Sequence, residues 1–425
     1  MKNRHCLIAQ CVLPGLLLMS FFSGCTLLPK HSARHTRDHA YIAYWPPPQG
    51  SKQLRLAVKD NIDMKGVVTT AGSQYLAKNS PPAERDAKCL ELARQRHVQI
   101  VGKTNLGEFA LKSSGMNDYY GTPKNPFRDE FIPGGSSSGS AVAVANGSAD
   151  VAFGTDTAGS VRVPAACCGI AGLKTTFGLV PIKGVFPISP KHLDTVGPIA
   201  KDVSHLVQGM DLLQEGFAAR YHAAVAARPS AKHIKVGRLY LDGTDPAIDT
   251  AVDDALAAAG FHVVRLGAAF KAKWNKADKD GHTVALADAW VNDGKYAVKG
   301  GVESKTSTII LSGAVTESNY RDALKGQAQW KDALRRVFKK VDFIALPTLQ
   351  TVPPRMPLFG GTVLFELQVL ALQNTEPANL GGNPALAIPI PVKGKKVPVT
   401  SLQLVGRRLS EAELLNAGRL VESKQ

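Results

Sequence analysis

Apolar and polar residues alternate over residues 54–62 (LRLAVKDNI) as in a β-strand, residues 86–97 (DAKCLELARQRH) carry their apolar positions at helical spacing, and residues 98–104 (VQIVGKT) turn strand-like again. The same grammar returns further on. Residues 234–241 (IKVGRLYL) read as a strand, residues 246–260 (PAIDTAVDDALAAAG) as a helix opened by Pro246 and stopped by Gly260, and residues 261–266 (FHVVRL) as another strand. A further strand at 342–348 (DFIALPT) precedes a loop-rich region, and residues 410–422 (SEAELLNAGRLVE) read as an amphipathic terminal helix with Ser410 as its cap. Strands alternating with helices predict an α/β fold.

The N-terminal pattern is different. Lys2 and Arg4 precede an apolar stretch whose purest part, residues 12–22, contains Pro14 and Gly15. That part is shorter than the roughly 20 residues a spanning helix needs. Small residues Ser23, Gly24 and Cys25 end the stretch, which predicts an export signal over residues 1–24. Its FFSGC ending resembles the lipobox of bacterial lipoproteins, with Phe22 where leucine is usual, and implies lipidation of Cys25. This reading places the chain in the cell envelope, on the periplasmic side, held to the membrane by a lipid on Cys25. Residues 25–55, which include YWPPPQG, read as a tether and Pro-rich lead-in, and residues 56–425 as one globular domain.

With 425 residues, 44% of them hydrophobic and 20% charged, the chain can build a large core, which excludes wholesale disorder. The net charge of +16 favours anionic surfaces. Lys and Arg are dispersed, however, densest over residues 271–340, and no nucleic-acid motif accompanies them. The expectation is a solvated basic face and no nucleic-acid partner. Cys6 and Cys11 fall within the expected signal, and Cys89, Cys167 and Cys168 read as buried small apolar residues, so no disulfide framework is expected.

Residues 133–176 concentrate small residues and hydroxyls. GGSSSGS alone suggests a flexible linker; its flanks argue otherwise. Residues 138–147 are apolar and small all round, as in a buried helix, residues 150–156 (DVAFGTD) read as a short buried strand, and residues 157–160 (TAGS) as the turn leaving it. Hydroxyls on glycine-rich turns, beside unobstructed backbone N–H groups, suit acyl transfer. Histidine is the usual base, but His97, His192 and His205 lie in segments unrelated to this one, and no HExxH, CxxC or GxSxG motif is present. That points to lysine, in a serine–lysine arrangement. Nothing calls for a metal or a cofactor.

At this point the residues match a family. GGSSSGSAVAVANG, GTDTAGSVRVPAACCGIAGLKTT, VKDNID and GKTNLGEFA, with NPFRDEFIPGGS, DFIALPT, NLGGNPALAIPIP and LQLVG, closely resemble the amidase signature family of serine hydrolases. They cover most of residues 56–206 and 342–425 and leave about 207–340 as the variable, substrate-side part. The resemblance implies a single α/β/α layered domain with a large mixed β-sheet covered by helices. It implies Ser160 as nucleophile, Ser136 as a bridging serine that follows a cis peptide, and Lys59 as base. It further implies an oxyanion hole from the backbone N–H groups of Thr157, Ala158, Gly159 and Ser160, with Ser137, Asp156 and Arg162 in support. Ser138, Ala158, Cys167 and Thr175 depart from the family's usual residues; Ala158 matters most, because a β-carbon is strained where φ is positive. A lysine with an ordinary pKa near 10.4 must also be desolvated to act as a base.

The expected activity is that of an exported serine hydrolase that cleaves a small-molecule or peptide amide to acid plus ammonia or amine through an acyl-enzyme on Ser160. Two rival expectations are an inactive envelope-binding module and an aminoacyl-tRNA amidotransferase A-type subunit. The latter shares the motifs, but the export signal disfavours it.

Overall fold

The computed structural model describes residues 37–424 other than residue 359. The expected signal and Cys25 lie outside the described residues. Strands β1 (Tyr41–Tyr44), β2 (Arg55–Lys59), β3 (Gln99–Thr104), β4 (Val151–Asp156), β5 (Ala171–Lys174), β6 (Thr195–Ala200), β7 (Lys235–Arg238), β8 (His262–Arg265), β9 (Phe343–Pro347), β10 (Ala385–Pro391) and β11 (Val399–Val405) form one sheet. Its order is β1-β3-β2-β4-β6-β5-β10-β11-β9-β7-β8. β2 runs parallel to both β3 and β4, and β7 to both β8 and β9, while β4 to β9 through the centre pair antiparallel, so the sheet is mixed.

The helices that matter here are α1 (Ser138–Ala145), α2 (Arg162–Cys168), α3 (Val203–Leu213), α4 (Pro246–Ala259), α5 (Ala268–Asp293), α6 (Ser304–Gly313), α7 (Glu317–Val337), α8 (Val363–Ala371), α9 (Glu376–Gly381) and α10 (Glu411–Glu422). Alternation along the strands sorts the side chains onto two faces. Leu56, Val58, Val151 and Phe153 join a core with α3, α4 and α10, while the intervening Ala57 and Ala152 face Ala141 and Val142 of α1. Small residues on that second face let α1 come close: a β-carbon on Gly139 would stand 2.3 Å from the Ala40 carbonyl oxygen. β9 alternates likewise, with Phe343 and Ala345 on the first face and Ile344 and Leu346 packed with Trp274 of α5 and Trp330 of α7. The fold is therefore α/β, helices covering both faces of a large mixed sheet.

Several elements differ from the pattern reading. Only Glu91–Gln95 of the helix expected over 86–97 is α-helical, after a tight turn at Lys88–Leu90, because the chain reverses at His97 with φ 51° to enter β3. Tyr41–Tyr44, inside the expected tether, is an edge strand paired with β3. The loop-rich region after β9 holds α8, α9 and two central strands, β10 and β11. Ser410 precedes α10, but its hydroxyl donates to the Arg407 carbonyl at 2.8 Å and makes no side-chain cap. Cys89, Cys167 and Cys168 are free and buried. No helix among the described residues is long and apolar enough to cross a membrane.

Candidate active site

Because β2 and β4 are parallel neighbours, their C-terminal ends emerge together, a common place for sites in α/β sheets. Lys59 is the last residue of β2 and is fully buried. Its Nζ donates to Ser136 Oγ at 2.7 Å and to Thr155 Oγ1 at 2.8 Å, and Asn61 Nδ2 donates to the same Thr155 oxygen at 3.0 Å. Burial pulls the Lys59 ammonium down to about 7, although Asp156 and Asp194 favour its charged form.

Ser136 lies in the turn that enters α1, and the Gly135–Ser136 peptide is cis. Glycine is required at 135 by close approach, since a β-carbon would stand 2.2 Å from the Lys112 carbonyl oxygen. Ser137 ties this turn to the next one: its N–H donates to the Ser160 carbonyl at 3.3 Å and its hydroxyl to the Thr155 carbonyl at 3.3 Å.

The turn at 157–160 hangs on a buried charge network. Arg162 donates to both carboxylate oxygens of Asp156 at 3.0 Å, to the Thr375 carbonyl at 2.8 Å, to Gln403 Oε1 at 2.6 Å and to Asn379 Oδ1 at 2.5 Å. Burial alone would raise the Asp156 carboxyl, but Arg162, with Lys174 and Asn379, outweighs it and holds Asp156 at about 2. Asp156 Oδ2 also accepts the Val161 N–H at 3.2 Å, which fixes the turn's exit. Gly159 has φ 145°, and a β-carbon there would lie 2.2 Å from Thr375 Oγ1, the hydroxyl that donates to the Ala158 carbonyl at 2.5 Å. Ala158 itself is not among the residues with positive φ, so its β-carbon is unstrained. Among the described residues, the N–H groups of Ala158, Gly159 and Ser160 meet no internal acceptor. Thr157 turns its hydroxyl to Asp194 Oδ1 at 2.7 Å.

Half-buried Ser160 opens onto a cavity of about 290 Å³. Leu111 and Ile188 line it with Leu286 of α5, Ile309 of α6, and Leu367 and Leu370 of α8. Among the described residues, four titratable side chains also reach it. Lys112, pulled down to about 8 by burial and by Lys305, pairs with Glu303. Glu366 of α8 accepts from the Ser114 N–H at 2.9 Å and its hydroxyl at 2.5 Å. The other two are His282 and Glu376.

The structure thus brings Lys59, Ser136, Ser137, Asp156, Arg162 and residues 157–160 together at the C-terminal ends of β2 and β4. The sequence reading set histidine aside, yet His282 lines the cavity. It also gave no role to Thr155, Asn379 and Gln403, although each stands inside a segment that carried the resemblance, and it missed Asp194, Thr375 and Glu376, which belong to no motif.

A family model described as Amidase matches residues 54–415. The A-type subunit of glutamyl-tRNA(Gln) amidotransferase from Halobacterium salinarum is 34% identical over 416 residues, spanning 86% of this chain and 94% of that protein. The solved structure of the same kind of subunit from Thermotoga maritima is 27% identical, covers 97% of this chain and 91% of its own, and superposes with a TM-score of 0.76. A structure described as an amidase is 26% identical, covers 87% and 84%, and has a TM-score of 0.72.

Proposed function

This chain belongs to the amidase signature family, enzymes that break amide C–N bonds, and from that premise we propose that it acts through an acyl-enzyme on Ser160. In this reading Lys59, in its uncharged form, draws a proton from Ser136, which draws one from Ser160. Ser160 Oγ bonds to the amide carbonyl carbon, and backbone N–H groups of the 157–160 turn receive the developing oxyanion. The relay returns the proton to the nitrogen as the C–N bond breaks, so ammonia or an amine departs. Water then gives its proton to the same relay and its oxygen bonds to the acyl carbon; the bond to Ser160 Oγ breaks, the relay returns the proton to Oγ, and the acid leaves. The observation that carries this reading is the buried Lys59 amine, near neutrality, 2.7 Å from Ser136 Oγ.

The test is ammonia release from primary amides by the full chain, with Ser160→Ala as control and an active-site serine reagent mapped by mass spectrometry. Turnover lost in Ser160→Ala and a label on Ser160 support the reading; a label elsewhere, or undiminished turnover, overturns it.

A second reading, an A-type amidotransferase subunit, has the curated relatives in its favour, since those from Halobacterium salinarum and Sulfolobus acidocaldarius carry that name and match most of this chain. Their names include a tRNA and imply partner subunits, so the expectation of no nucleic-acid partner is not carried forward. Glutamine-derived ammonia transferred to glutamyl-tRNA when partner subunits are added supports this second reading. Export and a lipid on Cys25 rest on residues 1–25 alone; incorporation of a labelled fatty acid, abolished by Cys25→Ala, is their test.

A further inference from the structure

Resting on the reading of Ser160 as nucleophile, we propose that the adjoining cavity selects amides whose acyl chain carries an ammonium group, with the Glu376 carboxylate as its partner. Glu376 is 5% exposed, lines the same cavity as Ser160, and its Oε1 has no hydrogen-bond partner among the described residues. A carboxyl group buried at a cavity wall with an acceptor left unpaired is costly unless a ligand completes it.

The surrounding charges favour a cation there. Arg162 is the positive group that acts on Glu376, and its donors are spent on Asp156, Thr375, Gln403 and Asn379. Lys112, at the cavity wall, is held by Glu303. Asp278 of α5 adds negative potential, and burial together with Asp278 pushes the Glu376 carboxyl well above the usual carboxylate range. His282, lowered by burial, brings no competing positive charge. An arriving ammonium reverses the balance: Glu376 gives up its proton to solvent and the two opposite charges compensate each other's desolvation. A substrate carboxylate would instead meet Glu376 and Glu366 at the cavity wall, within the negative potential of Asp278.

Gly281 fixes where that acid sits, because a β-carbon there would stand 2.8 Å from Glu376 Cγ. Leu111, Ile188, Leu286, Ile309, Leu367 and Leu370 give the walls an aliphatic part that suits methylenes. The volume of about 290 Å³ is on the order of ten water-sized groups, which limits the acyl chain to a short one.

Three primary amides of equal length separate the possibilities: γ-aminobutyramide ends in an ammonium, valeramide in a methyl and glutaramate in a carboxylate. Binding to the Ser160→Ala protein is read by calorimetry and turnover of the wild type by ammonia release, both near pH 8.5, where alkylammonium groups stay charged. The expected result is at least tenfold tighter binding, and at least tenfold higher kcat/KM, for γ-aminobutyramide over both others. Glu376→Gln is expected to cut that preference at least tenfold, with retained far-UV circular dichroism reporting that it folds; if it does not fold, Asp278→Asn is expected to weaken the preference in the same direction. Valeramide binding as well as γ-aminobutyramide, or a preference unchanged in the folded variant, overturns the proposal. Turnover of none of the three strikes the proposed reaction, while the calorimetry still decides the subsite.

Discussion

Lys59 Nζ lies 2.7 Å from Ser136 Oγ, and neither residue has any exposed surface. Burial pulls the amine down to about 7, and the proposed relay needs the uncharged form. The sign follows: kcat/KM rises with pH through about 7 and levels above it, whereas a solvated lysine would place the inflection near 10.4. A pH–rate profile checks this. Lys59→Met is expected to lose about a hundred- to ten-thousandfold in kcat/KM, the range for a positioned base.

Arg162 and Asp156 are both completely buried, so removing one strands the other. Arg162→Ala is expected to lower stability by about 3–5 kcal/mol, read by chemical denaturation. The deficit has a pH signature. Asp156 is depressed from 3.8 to about 2 in the folded wild type, so its contribution is complete above 3.8 and lost as pH falls through about 2. The gap between wild type and variant therefore narrows in acid.

Gly159 combines φ 145° with a Thr375 hydroxyl 2.2 Å from where a β-carbon would stand. Gly159→Ala must displace the turn whose N–H groups at 158–160 meet no internal acceptor among the described residues, and is expected to cut kcat/KM about a hundred- to thousandfold, the scale of losing one oxyanion donor. Adding Thr375→Ala opens space and is expected to restore part of the loss, measurable as a coupling in a double-mutant cycle.

Much of this was legible where one local signal decides the structure. Residues 54–62 and 98–104 alternated and became β2 and β3; Pro246 and Gly260 bounded α4, with Asp245 accepting from the Ala247 N–H and Gly260 at φ 81°. The small-residue run at 138–147 became α1 because Ala57 and Ala152 offered it a flat face. What the pattern hid depends on partners distant in sequence. β10 was hidden by Pro389 and Pro391 and β11, between two other strands, is buried on both faces, and α5, 26 residues long, showed no clear apolar stripe because it packs on several elements in turn. Glu376 reads as a polar residue at a helix start, and only the packing of α9 against α5 reveals it as a buried acid beside Ser160.

Thr155 is the residue on which the geometry of the proposed relay turns. Its single hydroxyl oxygen receives both Lys59 at 2.8 Å and Asn61 at 3.0 Å, so it holds the amine toward Ser136 as well as stabilising it. Thr155→Val keeps the shape and removes the acceptor. The protonated amine then loses a partner that favours it, so the inflection of the pH–rate profile is expected to move below 7, while kcat falls by about tenfold as the amine loses its aim. A merely structural threonine would lower the melting temperature and leave the inflection in place. Thr155→Ser, which returns the oxygen without the methyl, is expected to return the inflection too; a profile that stays shifted in that variant would remove Thr155 from the relay.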